Sequence, residues 1–149
     1  GNKEATDEAR ALFAHTAADC VELSLQEHDE VMAWVLGLSH LVNIAFAGTL
    51  AQSGEAVPLL KRISSSTFNA QLNVATQVVS ENPHLYYEIQ KGNENTAQVS
   101  EHFRKVLDVL VASVAENDEV VFTRHMGAAK QRLAESDVES VGKIGTGRS

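Results

Sequence analysis

The chain is poor in cysteine and in positive charge. Cys20 is the sole cysteine, which excludes a disulfide within one chain and a zinc site that needs two thiolates. A reducing cytoplasm is the expected compartment for such a protein. Twelve lysines and arginines stand against twenty aspartates and glutamates, for a formal charge of −8. We therefore expect neither nucleic acid nor an anionic lipid surface as a partner, because both require basic patches.

Signals for export, for dinucleotide binding and for metal binding are also missing. The first ten residues carry five charges and no apolar run, so we expect no secretory signal. No G-x-G-x-x-G motif follows a strand, as a dinucleotide-binding fold would require. His28 and His40 are twelve residues apart rather than four, so they do not form a zinc pair on one helix face. The sequence predicts no metal site.

What the sequence does contain is helical signal, and it predicts an all-α domain of about six helices. Ser24 and Glu27 form a capping-box pattern at the start of a long helix. Pro58 and Pro83 stand where helices begin, and Asn117 with Asp118 caps the last one. The predicted helices span residues 6–18, 25–52, 64–79, 83–91, 94–115 and from 118 to about 136, and residues 58–63 form a short helical piece.

Residues 19–24, DCVELS, alternate polar and apolar side chains, which predicts a half-buried strand. One strand cannot form a sheet. This strand therefore pairs with another chain or belongs to a sheet that lies outside this sequence.

Residues 31–51 and 63–80 contain no charged side chain. Surface helices normally carry charge on the outer face, so two such neighbours are best explained by burial on all sides. The other helices of one small domain cannot enclose both, whereas a second copy of the chain can, and we predict an intertwined homodimer. The first segment is long enough for a membrane span, but His40 and Asn43 at its centre argue against lipid, and we expect no membrane.

The two charge-free helices both carry polar side chains. Ser39, His40 and Asn43 lie within about one turn of the first helix. The second carries Asn69, Asn73, Thr76, Gln77 and Ser80 at helical spacing. Such faces either satisfy each other by hydrogen bonds or line a pocket for a small polar ligand, and the spacing leaves both possibilities open.

The segments EHDEVMAWVLGLSHLVNIAFAGTLA and ISSSTFNAQLNVATQVVSENPHLYYEIQKGNEN resemble the C-terminal dimerisation domain of the prephenate, arogenate and cyclohexadienyl dehydrogenases. The resemblance covers about residues 21–133 and depends on the order of EHD, GLSH and ENPHLYYEIQ…NEN. It implies a cytoplasmic homodimer in an enzyme of tyrosine biosynthesis, which oxidises and decarboxylates prephenate. It also implies that NAD or NADP and the catalytic histidine belong to an N-terminal Rossmann domain, so this fragment holds neither.

The resemblance also implies a division of the chain. Residues 1–24 would be a remnant of the nucleotide-binding domain with its linker, and the orphan strand the last strand of its sheet. Residues 25–136 would be the helical dimerisation and substrate-cleft domain, and residues 137–149 a disordered tail.

In the family, His40 falls on a histidine that faces substrate and Tyr86 on an aromatic position near it. Gln77 and Asn69 fall where the family usually carries arginines, and an amide lacks the charge-assisted fork of a guanidinium. The predicted substrate-binding set is His40, Tyr86, Gln77, Asn69, Asn73, Asn43 and Ser39. The two departures leave an alternative open, in which the chain is a non-catalytic helical dimer that binds or senses a small aromatic metabolite.

Overall fold

The structure is a computed structural model that describes residues 3–14, 16 and 20–144, with side chains up to residue 134. In this part of the chain it is all helical, as predicted. The seven helices are α1 (Lys3–Phe13), α2 (Leu25–Gln52), α3 (Val57–Ile63), α4 (Ser66–Ser80), α5 (Pro83–Gly92), α6 (Thr96–Ala115) and α7 (Glu119–Ile144). Helices α1–α5 form one compact unit and α6 with α7 a second.

The two ends of the chain differ from the prediction. Helix α1 begins and ends earlier than the predicted 6–18, and residues 15 and 17–19 lie outside the described residues. The predicted strand is not seen, because residues 20–24 have no regular structure and the described helices offer no strand to pair with. The backbone of α7 continues to Ile144, where we expected a tail, and residues 145–149 are not described. The division of the chain into domains stays a prediction.

Helix α2 begins as its sequence predicts. The hydroxyl of Ser24 accepts a hydrogen bond from the backbone N–H of Glu27 at 3.2 Å, and the Glu27 carboxylate accepts from the N–H of Ser24 at 2.8 Å. These bonds from the Ser24 backbone and side chain lower the pKa of Glu27. The two side chains thus accept from backbone N–H groups that have no partner within the first turn of a helix.

A π-helical turn interrupts α2 at Ala33–Leu38, immediately before Ser39 and His40. In a π turn the backbone bonds to the fifth residue rather than the fourth, so the turn holds extra chain and changes the direction in which later side chains point. Sequence spacing that assumes a regular α-helix misses this shift.

The first unit is built on α2. Helix α4 packs on the part of α2 after the π turn, where the rings of Phe46 and Phe68 meet edge to face with centroids 5.9 Å apart. On the same helix Ala75 is fully buried and Leu72 nearly so. Helix α5 packs against the π turn itself. These two contacts hold His40, which follows the turn, between fixed neighbours.

Helix α2 is not enclosed within one chain. Trp34 is 50% exposed, Val35 53% and Ile44 39%, so the expected burial on all sides is not achieved by these helices alone. By length and composition α2 is also the one helix of the described residues that could cross a membrane. Core helices of soluble proteins meet the same criterion, so the expected absence of a membrane stays a prediction.

Candidate functional site

His40 and Tyr86 form the centre of the candidate site. Their rings meet edge to face, with centroids 4.4 Å apart and planes at 70°. Burial lowers the pKa of His40, so the imidazole is neutral at neutral pH. Its Nδ1 is buried and has no hydrogen-bond partner within the described chain. A neutral imidazole has one donor and one acceptor nitrogen, and buried polar atoms rarely lack a hydrogen-bond partner.

A cavity of about 440 Å³ adjoins Tyr86. This volume lies within the range of small-molecule sites. Its walls are mostly apolar, with a carboxylate from Glu81 and an amide from Gln90 among them. The lining residues are Ile44, Val78, Val79, Glu81, Pro83, Tyr86, Tyr87 and Gln90. The cavity offers room for a small cyclic ligand beside the Tyr86 ring, and His40 contacts Tyr86 without lining the cavity itself.

Asn43 and Ser39 use their polar groups inside the protein. Asn43, which is 8% exposed, donates to the carbonyl of Ser39 at 2.8 Å and accepts from Gln71 Nε2 at 2.9 Å. The Ser39 hydroxyl donates to the carbonyls of Val35 and Leu36 in the π turn. At Asn43 the two charge-free helices satisfy each other by a hydrogen bond, rather than leaving the amide free for a ligand.

The remaining predicted residues lie along another face of α4. Asn69 is half-buried, and Asn73 and Gln77 are exposed. They follow one another at intervals of four residues, on a stripe that differs from the one carrying the buried Leu72 and Ala75. Within the described chain no hydrogen bond joins them to His40, so their place in the substrate site stays a prediction.

Sequence reasoning missed two glutamines that connect the helices. Gln71 of α4 bonds Asn43, and Gln90 of α5 donates to the carbonyl of Gly37 at 2.8 Å. Their positions carried a signal: Gln71 lies four residues before the buried Ala75, and Gln90 four after Tyr86, so each shares a helix face with an inward residue. The absence of charge, in contrast, indicates that a whole helix is buried and does not single out individual side chains.

The structure offers no metal centre in its described part, where no group of three or more histidine, cysteine, aspartate or glutamate side chains could hold an ion. Arg104 of α6 is paired with Glu101 and Asp108 at 2.8–2.9 Å. These ion pairs are exposed on α6.

Comparison with known proteins agrees with the resemblance. Residues 24–128 match the family described as prephenate dehydrogenase, dimerization domain. A probable arogenate/prephenate dehydrogenase of Methanocaldococcus jannaschii is 23% identical over 116 residues, which are 78% of this chain and 26% of that protein. A T-protein of Enterobacter agglomerans is 22% identical over 109 residues, or 73% of this chain and 29% of that protein. No solved structure shows a significant match.

The chain thus spans less than a third of the length of either relative. The family match, in contrast, covers well over half of the chain and includes the π turn, His40, Tyr86 and the cavity. The protein therefore belongs to the family of prephenate dehydrogenase dimerization domains.

Proposed function

We propose that this chain is the dimerisation and substrate-cleft part of a prephenate dehydrogenase-like enzyme, which oxidises and decarboxylates prephenate in tyrosine biosynthesis. The family of the chain supports this proposal, as does its similarity to the probable arogenate/prephenate dehydrogenase of Methanocaldococcus jannaschii. In the reaction, the ring carbon that bears the hydroxyl would give hydride to the nicotinamide acceptor of the parent protein while a base takes the hydroxyl proton. The bond to the ring carboxylate then breaks, carbon dioxide leaves, its electron pair makes the ring aromatic, and the oxygen regains a proton. The compartment that we propose is the cytoplasm.

The observation that carries the proposal is the position of His40. Its half-buried, neutral ring lies against Tyr86, which lines a largely apolar cavity. We propose that the imidazole gives the substrate a polar contact, while the apolar wall takes the substrate ring and excludes water. Tyr86 would keep the imidazole in one orientation.

The residues described here do not fit a dinucleotide. Their only regular structure is helical, without the strand, glycine-rich turn and helix that together hold a pyrophosphate. We therefore assign NAD or NADP, and the base that takes the hydroxyl proton, to a nucleotide-binding domain of the parent protein. Alone, this chain would bind substrate without oxidising it.

We further propose that the chain is a homodimer. Its family is described as a dimerization domain, and the exposed apolar side chains of α2 lie on a helix that carries no charge from Val31 to Ala51. A second copy would cover that surface and would bring a second α4, with Asn69, Asn73 and Gln77, into the assembly.

Absorbance of the reduced nicotinamide tests the proposed reaction. We expect no NADH or NADPH from this chain with prephenate and either cofactor. We expect turnover from a natural protein that joins the domain to a nucleotide-binding domain. In that protein His40→Ala should lower kcat/KM by about 10–100-fold, because a hydrogen bond to a charged substrate is lost. The control His84→Ala, at an exposed residue of α5, should have little effect. Failure of the joined protein to turn over prephenate or arogenate would refute the proposal.

The neutral Gln77 and Asn69 favour a second candidate, a non-catalytic dimer that binds a small aromatic metabolite. Calorimetric titration of the chain with prephenate and with tyrosine separates the two. Binding of tyrosine without binding of prephenate would favour this second function, and prephenate binding that is lost in His40→Ala would favour the first.

A further inference from the structure

Helix α5 connects to the π turn of α2 through one side chain. Gln90 Nε2 donates to the carbonyl of Gly37 at 2.8 Å. One turn earlier on the same face of α5, Tyr86 meets the ring of His40. Gln90 also lines the cavity beside Tyr86. A single glutamine thus contacts both the irregular turn of α2 and the candidate ligand space.

The π turn receives a hydrogen bond from outside its own helix. π-helical segments are rare and are found mostly as single turns at functional sites. Gly37 is buried, and a buried carbonyl is stabilised by hydrogen-bond donors. The Gln90 amide supplies one such donor from α5. A slip of the backbone by one residue at this turn would rotate the following residues by about 100°, which would take His40 away from Tyr86.

We propose that Gln90 is a positioning residue, whose side-chain amide holds the π turn of α2 and so keeps the His40 imidazole against Tyr86 beside the cavity. The inference rests on the proposed function only for its effect on substrate binding, because that function places substrate against His40 and Tyr86. The contact it describes lies entirely within this chain.

A second bond makes the proposal separable from a general role in folding. Asn93 Nδ2 donates to the carbonyl of Asp29 at 2.6 Å, near the start of α2. Asn93 Oδ1 in turn accepts from the backbone N–H of Asn95 at 2.9 Å. This anchor does not involve Gln90, and we expect it to keep α5 docked on α2 when the Gln90 amide is removed. Loss of the amide should then alter the turn locally.

Nuclear magnetic resonance of this chain tests the proposal with Gln90→Met, which keeps the length of the side chain and removes the donor. We expect the cross-relaxation between the ring protons of His40 and Tyr86 to lose most of its intensity. We also expect the titration midpoint of His40 to move up toward its ordinary range, because the ring becomes more hydrated. Gln98→Met makes the same change at an exposed residue of α6 and should alter neither signal.

A purely structural role predicts a different result. In that case Gln90→Met lowers stability but leaves the His40–Tyr86 cross-relaxation and the His40 midpoint unchanged, and this outcome would overturn the proposal. The wild-type chain gives a check that needs no variant to fold. The side-chain amide of Gln90 should exchange with solvent more slowly than that of exposed Gln98, and equal exchange would also overturn it.

These measurements read the position of His40 and not the reaction. If prephenate fails to bind while Gln90→Met still displaces His40, the proposed function is wrong and the positioning role holds. If prephenate binds while His40 stays in place in Gln90→Met, the function holds and the positioning role is wrong.

Discussion

At the scale of single residues, the bond between Gln71 and Asn43 carries a measurable part of the stability. Asn43→Ala removes the acceptor of Gln71 Nε2 and the donor to the Ser39 carbonyl, in a site that is nearly closed to water. Leaving such groups unpaired costs about 2 kcal/mol, and urea unfolding should show a loss of that size. The matched Asn73→Ala, at an exposed position of α4, should change stability by less than about 0.5 kcal/mol. Equal losses in the two variants would contradict this role for the bond.

His40 should make stability depend on pH. Burial lowers its pKa in the folded chain from the ordinary 6.5, so below that pH the unfolded chain binds a proton that the folded chain resists. By linkage, the free energy of unfolding is highest above the ordinary pKa and falls as the pH drops through 6.5 toward the folded pKa. Urea unfolding across this range should show a smaller decline in His40→Gln than in the wild type. An identical decline would show that burial does not perturb this histidine.

At the scale of elements, the corner between α6 and α7 explains why two polar residues stand there. Asn117 adopts a φ of 59°, the left-handed region that ends many helices. The N–H of Asp118 bonds the Ser113 carbonyl at 2.8 Å, while the Asp118 carboxylate accepts from the N–H of Val121 at 3.0 Å. One residue therefore ends α6 and the next begins α7, which confirms the cap predicted from sequence.

Two substitutions of Asn117 at this corner should affect stability differently. Asn117→Ala should destabilise the chain by about 1 kcal/mol, because a Cβ without a polar group is strained at positive φ. Asn117→Gly should be neutral or slightly stabilising, because glycine adopts that conformation without strain. Thermal unfolding of both variants checks the pair. A loss in Asn117→Gly as large as in Asn117→Ala would show that the amide matters and the backbone conformation does not.

The helices could be predicted because their signals are local in sequence. The site could be predicted only in part, because it depends on contacts between residues far apart in sequence. Ser24 with Glu27, Asn82 and Asn117 mark helix ends through bonds to neighbours a few residues away, and Pro83 fits the first turn because that turn needs no N–H from it. The π turn, in contrast, has no comparable local signal, and the side chain that bonds its Gly37 carbonyl, Gln90, lies fifty-three residues later. Spacing placed Asn43 on a polar face but could not choose Gln71 over the asparagines of α4 as its partner.

At the scale of the whole molecule, the chain leaves apolar surface that its own described helices do not cover. Val31 and Val35 lie four residues apart on α2 and are 42% and 53% exposed. On α6, Leu107, Val111 and Val114 are exposed as well. The predicted burial of the charge-free helices therefore requires a partner that covers their exposed apolar side chains. A second copy is the occupant we propose, and the description of the family agrees with it.

Sedimentation equilibrium of the chain tests this central claim most directly. The account predicts a species of twice the 16.1 kDa chain mass, and a shift toward the single chain in Val35→Glu, which places a charge on the apolar surface of α2. Gln98→Glu, which adds the same charge on α6, should leave the mass of the dimer unchanged. A well-folded helical chain that sediments at 16.1 kDa would contradict the account, because α2 would then have no partner to cover it.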